Sequence, residues 1–377
     1  MNNKLSKLRI AVLASSAVLA LSAAGLVNAS GTSLESKNIF TSQMLSHAVI
    51  SGGALSVTAQ SVVDGNLAAL EAVTIGAGLN AQAQDIYAGA AVTTGALSTV
   101  NNIYAGAAAS IGASANAQNV DAGAAITLGA SANVLKLNAG AAITVGASAL
   151  HRGVSNWITE PADGDIHTRD KMVDAIASIK LAQTALATLT PPNAAWSGIT
   201  LDEHPLLSTI GGDHVFYPGV HYGSALSIDA GSRISFDMPV DHCDPSDGPT
   251  EHVWVINLTE ALTIGANTQM EVPADTCDAK DTYAIIWNVG AAITLGAEST
   301  FVGTAFVDGA FSAATSDVLC GNIYASGPVS IRDIGSLGRD SSTTIDSPPK
   351  SASPKSCTTN AKAVGSFVVE DYYIEIN

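Results

Sequence analysis

Alanine and hydroxyl side chains recur at a fixed spacing in the first half of the 377-residue sequence. The repeating unit is Ala-x-Ser/Thr, and its copies are Ala91 with Thr93, Ala108 with Ser110, Ala125 with Thr127, and Ala142 with Thr144. Alternate residues of a strand lie about 6.8 Å apart on one face, and neighbouring strands lie about 4.8 Å apart. Stacked copies would therefore form a regular, uncharged grid of methyl and hydroxyl groups. Such a rigid grid can hold water in an ordered layer.

The spacing of these units predicts a solenoid. Gly-Ala-Ala recurs every 17 residues, and a repeat this short cannot fold alone, so each copy must be one coil of a stack. Three apolar columns alternate with the outward ones and are expected to face inward. They are Ile86, Ile103, Val120 and Leu137; Val92, Ala109, Ile126 and Ile143; and Thr94, Ile111, Leu128 and Val145. Small residues also suit tight coils, and threonine is common in exposed strands, so the grid alone does not establish a function.

Catalytic motifs are missing from the sequence. It contains no His-Glu-x-x-His, Cys-x-x-Cys, Gly-x-Ser-x-Gly or phosphate-loop pattern. The acidic residues around His242 and His252 could supply oxygen ligands to a hard cation, but a solvated acidic loop is the favoured interpretation. We therefore predict a protein that is not an enzyme and that has no cofactor and no metal site.

The N-terminus reads as a secretory signal. Lys4, Lys7 and Arg9 precede an apolar run, and Val27-Asn28-Ala29 fits a signal-peptidase site, so residues 1–29 are expected to be removed. No later run is long and apolar enough to span a bilayer. The formal net charge of the whole chain is −17, which argues against nucleic acids and anionic membrane surfaces as partners.

Four cysteines in an exported chain suggest disulfides. The segments 238–244 and 272–278 align with each other, and equivalent positions on neighbouring coils lie close together. This alignment predicts a disulfide between Cys243 and Cys277. Cys320 and Cys357 are then either paired or free.

The repeat pattern stops at His151 and returns after a helix. An apolar stripe at helical spacing predicts one long helix over Asp165 to Leu189. Apolar-hydroxyl-apolar triplets then reappear at Ser227, Thr263, Thr294, Ser312 and Ser330, so both halves should belong to one stack. The predicted organisation is a signal peptide at 1–29, N-terminal coils at 30–150, a cap and long helix at 151–214, further coils at 215–335, and a Ser/Pro-rich linker with a terminal strand at 336–377.

The second half resembles the ice-binding-like family of secreted proteins. The resemblance covers roughly residues 165–335 and rests on five segments in the family's order. They are the helix Asp170 to Leu189, Pro218 to Tyr222 (PGVHY), Tyr283 to Gly303 (YAIIWNVGAAITLGAESTFVG), Thr304 to Asp308, and Gly321 to Ile331 (GNIYASGPVSI). It implies a mainly β fold, a discontinuous right-handed β-helix that is triangular in section, with one long α-helix alongside and a cap at one end. Members that bind ice use one flat β-face. The regular 17-residue coils depart from the family's usual N-terminal half.

Two functional hypotheses follow. The first is a secreted ice-binding protein that contacts ice through Thr93, Ser110, Thr127 and Thr144 and the adjacent alanine column. The second is a structural or adhesive module at the cell surface or in a matrix, in which the solenoid is a stiff spacer or an element whose uncharged β-surface pairs with itself or with other matrix components. The face that the helix covers decides where an ice-contacting surface can lie. If the helix covers the hydroxyl column, the coils bearing Thr263, Thr294, Ser312 and Ser330 become the alternative.

Overall fold

The structure is a computed structural model, and its description covers most of the two repeat regions and the helix between them. The described residues are 40–41, 44, 46–59, 61–78, 82–154, 169–189, 195–196, 199–200, 202–237, 251–271, 282–315, 318–332 and 336–338. Within them a single α-helix, α1 (Arg169–Ala187), accompanies a stack of short strands. No helix among these residues has the length and apolar character that a membrane span requires.

The N-terminal half consists of short strands joined by tight corners. Their bounds are β1 (His47–Ser51), β2 (Leu55–Val57), β3 (Val63–Asp64), β4 (Asn66–Ala69), β5 (Val73–Ile75), β6 (Gln82–Ala83), β7 (Ile86–Ala88), β8 (Val92–Thr94), β9 (Thr99–Ala105), β10 (Ala109–Ile111), β11 (Asn116–Ala122), β12 (Ile126–Leu128), β13 (Asn133–Ala139), β14 (Ile143–Val145) and β15 (Leu150–His151).

The C-terminal half follows α1 and repeats the same plan with longer and more varied strands. Their bounds are β16 (Ala195–Trp196), β17 (Ile199–Thr200), β18 (Glu203–Pro205), β19 (Thr209–Ile210), β20 (Asp213–Phe216), β21 (Gly219–Gly223), β22 (Leu226–Ile228), β23 (Arg233–Phe236), β24 (Glu251–Leu258), β25 (Leu262–Ile264), β26 (Gln269–Glu271), β27 (Thr282–Val289), β28 (Ile293–Leu295), β29 (Thr300–Val302), β30 (Thr304–Val307), β31 (Phe311–Ala313), β32 (Val318–Cys320), β33 (Ile323–Ala325), β34 (Val329–Ile331) and β35 (Ser336–Gly338).

Two long parallel sheets run the length of the stack. Among the described residues, the 12-stranded sheet has the order β14-β12-β10-β8-β5-β2-β34-β31-β28-β25-β22-β19, and we call it the hydroxyl sheet. The 14-stranded sheet has the order β15-β13-β11-β9-β7-β4-β1-β33-β30-β27-β24-β21-β18, with β6 also pairing β9, and we call it the helix-covered sheet. Smaller sheets, β20-β23-β26 and β29-β32-β35-β3, contribute to the remaining side. The predicted β-solenoid is confirmed.

The order of coils in the stack differs from their order in the chain. The first N-terminal coil lies against the last C-terminal coil, because β1 pairs with β33 and β2 pairs with β34. The N-terminal half therefore extends the stack in one direction and the C-terminal half extends it in the other. The expectation that both halves form one stack is confirmed, and the junction joins residues that are about 275 positions apart in sequence.

The helix lies lengthwise on the outer side of the helix-covered sheet. The side-chain amide of Asn257, in β24, donates to the Leu186 carbonyl at 2.8 Å, and that of Asn288, in β27, donates to the Gln183 carbonyl at 3.1 Å. Lys180 lies 3.9 Å from Asp308, just after β30. Three helical residues rise about 4.5 Å, which is close to the spacing of one coil. The helix therefore advances one coil for every three residues.

The apolar face of the helix is buried as predicted, and the described part of the helix begins at Arg169. Five of its apolar side chains are buried against the sheet together with Leu189, which follows the helix; the five are Met172, Ala175, Ile179, Ala182 and Leu186. Ile176 is only partly buried beside them. Residues 165–168 lie outside the described part of the chain. A second core fills the inside of the coils and contains most of the predicted inward columns, from Ile86 and Val92 to Leu128 and Leu137. The prediction was wrong for Val145, which is 43% exposed because it lies in the last strand of the stack.

One cysteine can be placed in this fold. Cys320, in β32, takes part in a disulfide, and its side chain is buried. The other three cysteines, Cys243, Cys277 and Cys357, all lie outside the described residues, and the partner of Cys320 is one of them. The disulfide between Cys243 and Cys277 therefore stays a prediction.

Candidate functional site

The outer surface of the hydroxyl sheet carries one unbroken column of serine and threonine side chains. The central outward residue of each strand is paired with its counterpart on the next strand, from Thr209 at one end to Thr144 at the other. In stack order the column is Thr209, Ser227, Thr263, Thr294, Ser312, Ser330, Ser56, Thr74, Thr93, Ser110, Thr127 and Thr144. At about 4.8 Å per strand, twelve strands span about 50 Å.

A second column, of alanine, runs beside the hydroxyl column. Each alanine lies two residues before a hydroxyl. Its carbonyl accepts a hydrogen bond, at 2.9–3.1 Å, from the backbone N–H of the residue just before the hydroxyl of the adjacent coil on the Thr209 side. Ten residues of the column make this bond, and all are alanine except Pro328. They are Ala261, Ala292, Ala310, Pro328, Ala54, Ala72, Ala91, Ala108, Ala125 and Ala142. Methyl groups and hydroxyls therefore lie side by side along almost the whole sheet.

Glycines border most of the grid, at corners where the backbone of the adjacent coil approaches closely. They follow the hydroxyls by two positions, as Gly95 and Gly112 follow Thr93 and Ser110. A Cβ atom at Gly95 would lie 2.4 Å from the backbone nitrogen of Ala77 on the adjacent coil. Where glycine occupies this corner, the close approach of successive backbones limits the grid to two columns of side chains, which lie about 6.8 Å apart.

The helix does not cover this surface. It packs on the other long sheet, and the hydroxyl-bearing residues of the N-terminal half remain exposed at Thr74, Thr93, Ser110, Thr127 and Thr144. Thr209, Thr263 and Thr294 are exposed in the C-terminal half. The two surfaces that the sequence offered as alternatives, one in each half, are parts of one column.

The predicted residues lie where the repeat placed them. Thr93, Ser110, Thr127 and Thr144 are direct register partners, and Ala108 and Ala142 are exposed while Ala91 and Ala125 are partly buried. Thr209 and the alanines of the C-terminal half were not predicted. The sequence could have predicted these alanines, because each lies two residues before a hydroxyl that the triplet pattern had already identified. They are Ala225, Ala261, Ala292 and Ala310.

The grid carries no charge in its two columns. The nearest charged positions in the glycine column are Asp229 and Arg332, both exposed and both in the C-terminal half. Within the described residues, no group of three or more His, Cys, Asp or Glu side chains could hold a metal ion. The tryptophans that can be placed serve packing. Trp254 and Trp287 are fully buried, and their indole nitrogens donate to the carbonyls of Phe216 and Val302.

A family model decides the relationship. The model for ice-binding-like proteins matches residues 49–335, which includes both halves of the stack. The chain belongs to the ice-binding-like family. The earlier resemblance covered only the second half, so the regular N-terminal coils are part of the family domain as well. No curated protein sequence matches this ice-binding-like chain.

Solved structures of low sequence identity are similar to this ice-binding-like protein. An ice-binding protein from the Antarctic ascomycete Antarctomyces psychrotrophicus is 13% identical, with a TM-score of 0.42, and the match covers 80% of this chain and 96% of that one. The DUF3494 domain of Shewanella frigidimarina ice-binding protein 1 is 11% identical, with a TM-score of 0.44 and coverages of 81% and 98%. An ice-binding protein from an Antarctic biological consortium is 15% identical, with a TM-score of 0.38 and coverages of 83% and 95%.

Proposed function

We propose that this ice-binding-like protein adsorbs to ice through the alanine and hydroxyl columns of the hydroxyl sheet and so restrains ice growth or recrystallisation. The observation that carries the proposal is the unbroken register of twelve Ser or Thr residues on a sheet that the helix leaves uncovered. Membership of the ice-binding-like family supports ice as the ligand, and the hydroxyl column supports this sheet as the surface that contacts it. Thr93, Ser110, Thr127 and Thr144 lie at its most regular end.

Rigidity and neutrality make this surface suited to ordered water. Each inner strand of the hydroxyl sheet is hydrogen-bonded to the strands on both sides, so the grid cannot adjust in the way that a loop can. A lysine or glutamate would be mobile and strongly hydrated, and neither occurs in the two columns. Methyl groups beside fixed hydroxyls can hold water in a layer that merges with a crystal surface. A tight adsorption without charge is the expected result.

Three further properties are part of the proposal. The protein is secreted after removal of residues 1–29, it performs no catalysis, and neither nucleic acid nor lipid is its partner. The net charge of −17 supports the exclusion of nucleic acid. Association with the cell surface or self-association through the same neutral sheet belongs to the adhesive alternative, which the following experiment separates from ice binding.

The substitution Thr127→Lys tests the surface. Thr127 is exposed in the middle of the regular coils, paired with Ser110 and Thr144, so a long charged side chain there would break the grid. We expect loss of most thermal hysteresis and of recrystallisation inhibition, with an unchanged melting temperature. The matched control is Thr99→Lys, because Thr99 is an exposed strand residue of the same half on a different sheet. Full activity of the Thr127 variant would refute this surface. A parent protein that leaves ice unshaped but assembles or binds cells would favour the adhesive function.

A further inference from the structure

The hydroxyl column changes its composition where the two halves of the chain meet. Three consecutive rungs are serines, since Ser56 pairs with Ser330 and Ser330 pairs with Ser312. We call these three residues the serine seam. On either side of it threonine dominates, with Thr74, Thr93, Thr127 and Thr144 in the N-terminal half and Thr294 and Thr263 in the C-terminal half. No two serines are adjacent outside the seam.

Serine and threonine hold their hydroxyls differently. The second heavy atom on the Cβ of threonine restricts χ1, while serine in an exposed strand passes between rotamers. Threonine also adds a methyl group to the apolar part of the grid. At the seam, all three serines are partly buried, whereas the flanking Thr74 and Thr294 are exposed. The seam thus offers less exposed surface, fewer methyl groups and less fixed hydroxyls than its neighbours.

The columns on both sides of the seam are irregular at the same coils. Pro328 replaces alanine two residues before Ser330, and Arg332 replaces glycine two residues after it. Arg332 is exposed, and its long charged side chain is strongly hydrated in the one place where the two halves join. In contrast, the five coils from Thr74 to Thr144 each keep alanine before the hydroxyl and glycine after it.

We propose that the ice-contacting surface works as two patches separated by the serine seam. The large patch comprises the five coils from Thr74 to Thr144, and the small patch comprises the coils of Thr263 and Thr294. The large patch carries most of the adsorption, and threonine at the seam would join both patches into one surface of ten coils. This inference rests on the proposed function and assigns its strength to particular residues.

The triple variant Ser56→Thr, Ser312→Thr and Ser330→Thr tests the inference. Threonine is favoured in exposed strands, so we expect the variant to fold with an unchanged or higher melting temperature. Thermal hysteresis should rise about twofold, because the large patch of five coils joins the seam and the small patch in one surface of ten coils, and adsorption scales with contact area. The control is Ser235→Thr, an outward residue of β23 on another sheet, which should leave activity unchanged. Unchanged or lower hysteresis in a folded triple variant would overturn the inference.

The reverse change gives an independent readout. Thr74→Ser combined with Thr93→Ser would extend the run of serines from three rungs to six, because Ser110 is already a serine. We expect thermal hysteresis to fall to less than half at an unchanged melting temperature, and full hysteresis would count against the two-patch surface. These outcomes are separate from the Thr127→Lys result. If Thr127→Lys removes activity while both serine-threonine series have no effect, the proposed function stands and the seam inference fails.

Discussion

The two halves of the stack present the same outer grid over different interiors. In the N-terminal half, aliphatic side chains such as Val92, Ile103 and Ile126 fill coils of 17 residues. In the C-terminal half, aromatic rings such as Phe216, Trp254 and Trp287 fill coils whose hydroxyls are 18 to 36 residues apart. The outer surface is therefore set by strand register, and it is insensitive to coil length and core volume.

The position of the extra residues explains this independence. The longest additions to the C-terminal coils, residues 238–250 and 272–281, enter between β23 and β24 and between β26 and β27. Each of these segments is followed by a strand of the helix-covered sheet, so neither of them adjoins a strand of the hydroxyl sheet. Insertions at these points leave the pairing of Ser227 with Thr263 and of Thr263 with Thr294 intact. A solenoid can thus gain length on one corner without disturbing a flat face.

The largest expected effect is a difference in stability between truncations in the aromatic interior and in the aliphatic interior. Trp287 is fully buried, lies 5.5 Å from the ring of Phe301, and donates its indole N–H to the Val302 carbonyl at 2.8 Å. Trp287→Ala should destabilise the protein by about 3–5 kcal/mol, because it leaves a cavity and an unpaired carbonyl. Val120 occupies the same inward column in the N-terminal half, and Val120→Ala should cost about 2 kcal/mol. Urea unfolding of both variants measures the difference. If both variants lost the same free energy of unfolding, the aromatic interior would contribute no more to stability than the aliphatic one.

Acid is expected to weaken the C-terminal half through a buried histidine. His221 packs against His204 at 4.6 Å and against Phe216 at 4.8 Å, and one ring nitrogen bonds to the Tyr217 carbonyl. Burial lowers the pKa of His221 from 6.5 to about 4; the Tyr217 bond opposes this shift, and the nearby His204 and His214 add to it. The unfolded chain takes up a proton below pH 6.5 while the folded chain does not until about pH 4. Stability is therefore complete above pH 6.5 and is lost by roughly 3 kcal/mol as the pH falls to 4.

His221→Phe isolates that contribution. The variant keeps a ring between His204 and Phe216 but cannot titrate, so its free energy of unfolding should fall less between pH 7 and pH 4.5 than that of the parent. Urea unfolding at the two pH values measures this. Thermal hysteresis of the folded protein should be the same at both values, because the hydroxyl and alanine columns contain no titratable group. The same pH dependence in variant and parent would remove His221 as the cause.

The sequence predicted the regular half better than the irregular one, for physical reasons. A constant period of 17 residues fixes which side chains share a face, so the inward and outward columns around Ile126 and Thr127 followed directly. In the C-terminal half the period varies, so its hydroxyls could be recognised as triplets but not aligned with the first half. The pairing of Ser56 with Ser330 depends on where the chain returns after the helix, which no local pattern contains.

The helix shows the same limit. Its apolar stripe, from Met172 to Leu186, predicted that one face is buried but carried no information about which sheet receives it. That choice depends on contacts such as the bonds from Asn257 and Asn288 to the helix carbonyls. Both asparagines are ordinary strand residues in the sequence. The location of the uncovered face, on which the functional proposal depends, was therefore available only from the structure.

The smallest expected effect concerns a corner that the two halves build with different residues. Two residues after six of the border glycines, the corner residue is not glycine and adopts a left-handed conformation. Two of these six residues are Leu97 in the N-terminal half, with φ of 62°, and Asn267 in the C-terminal half, with φ of 60°. Asparagine adopts this conformation at a lower energetic cost than leucine. Leu97→Asn should therefore stabilise the protein by about 0.5 kcal/mol, since Leu97 is 43% exposed and little apolar contact is lost. Asn267→Leu should destabilise it by a similar amount. Urea midpoints test both, and a loss of stability in Leu97→Asn would show that the packing of Leu97 outweighs its backbone strain.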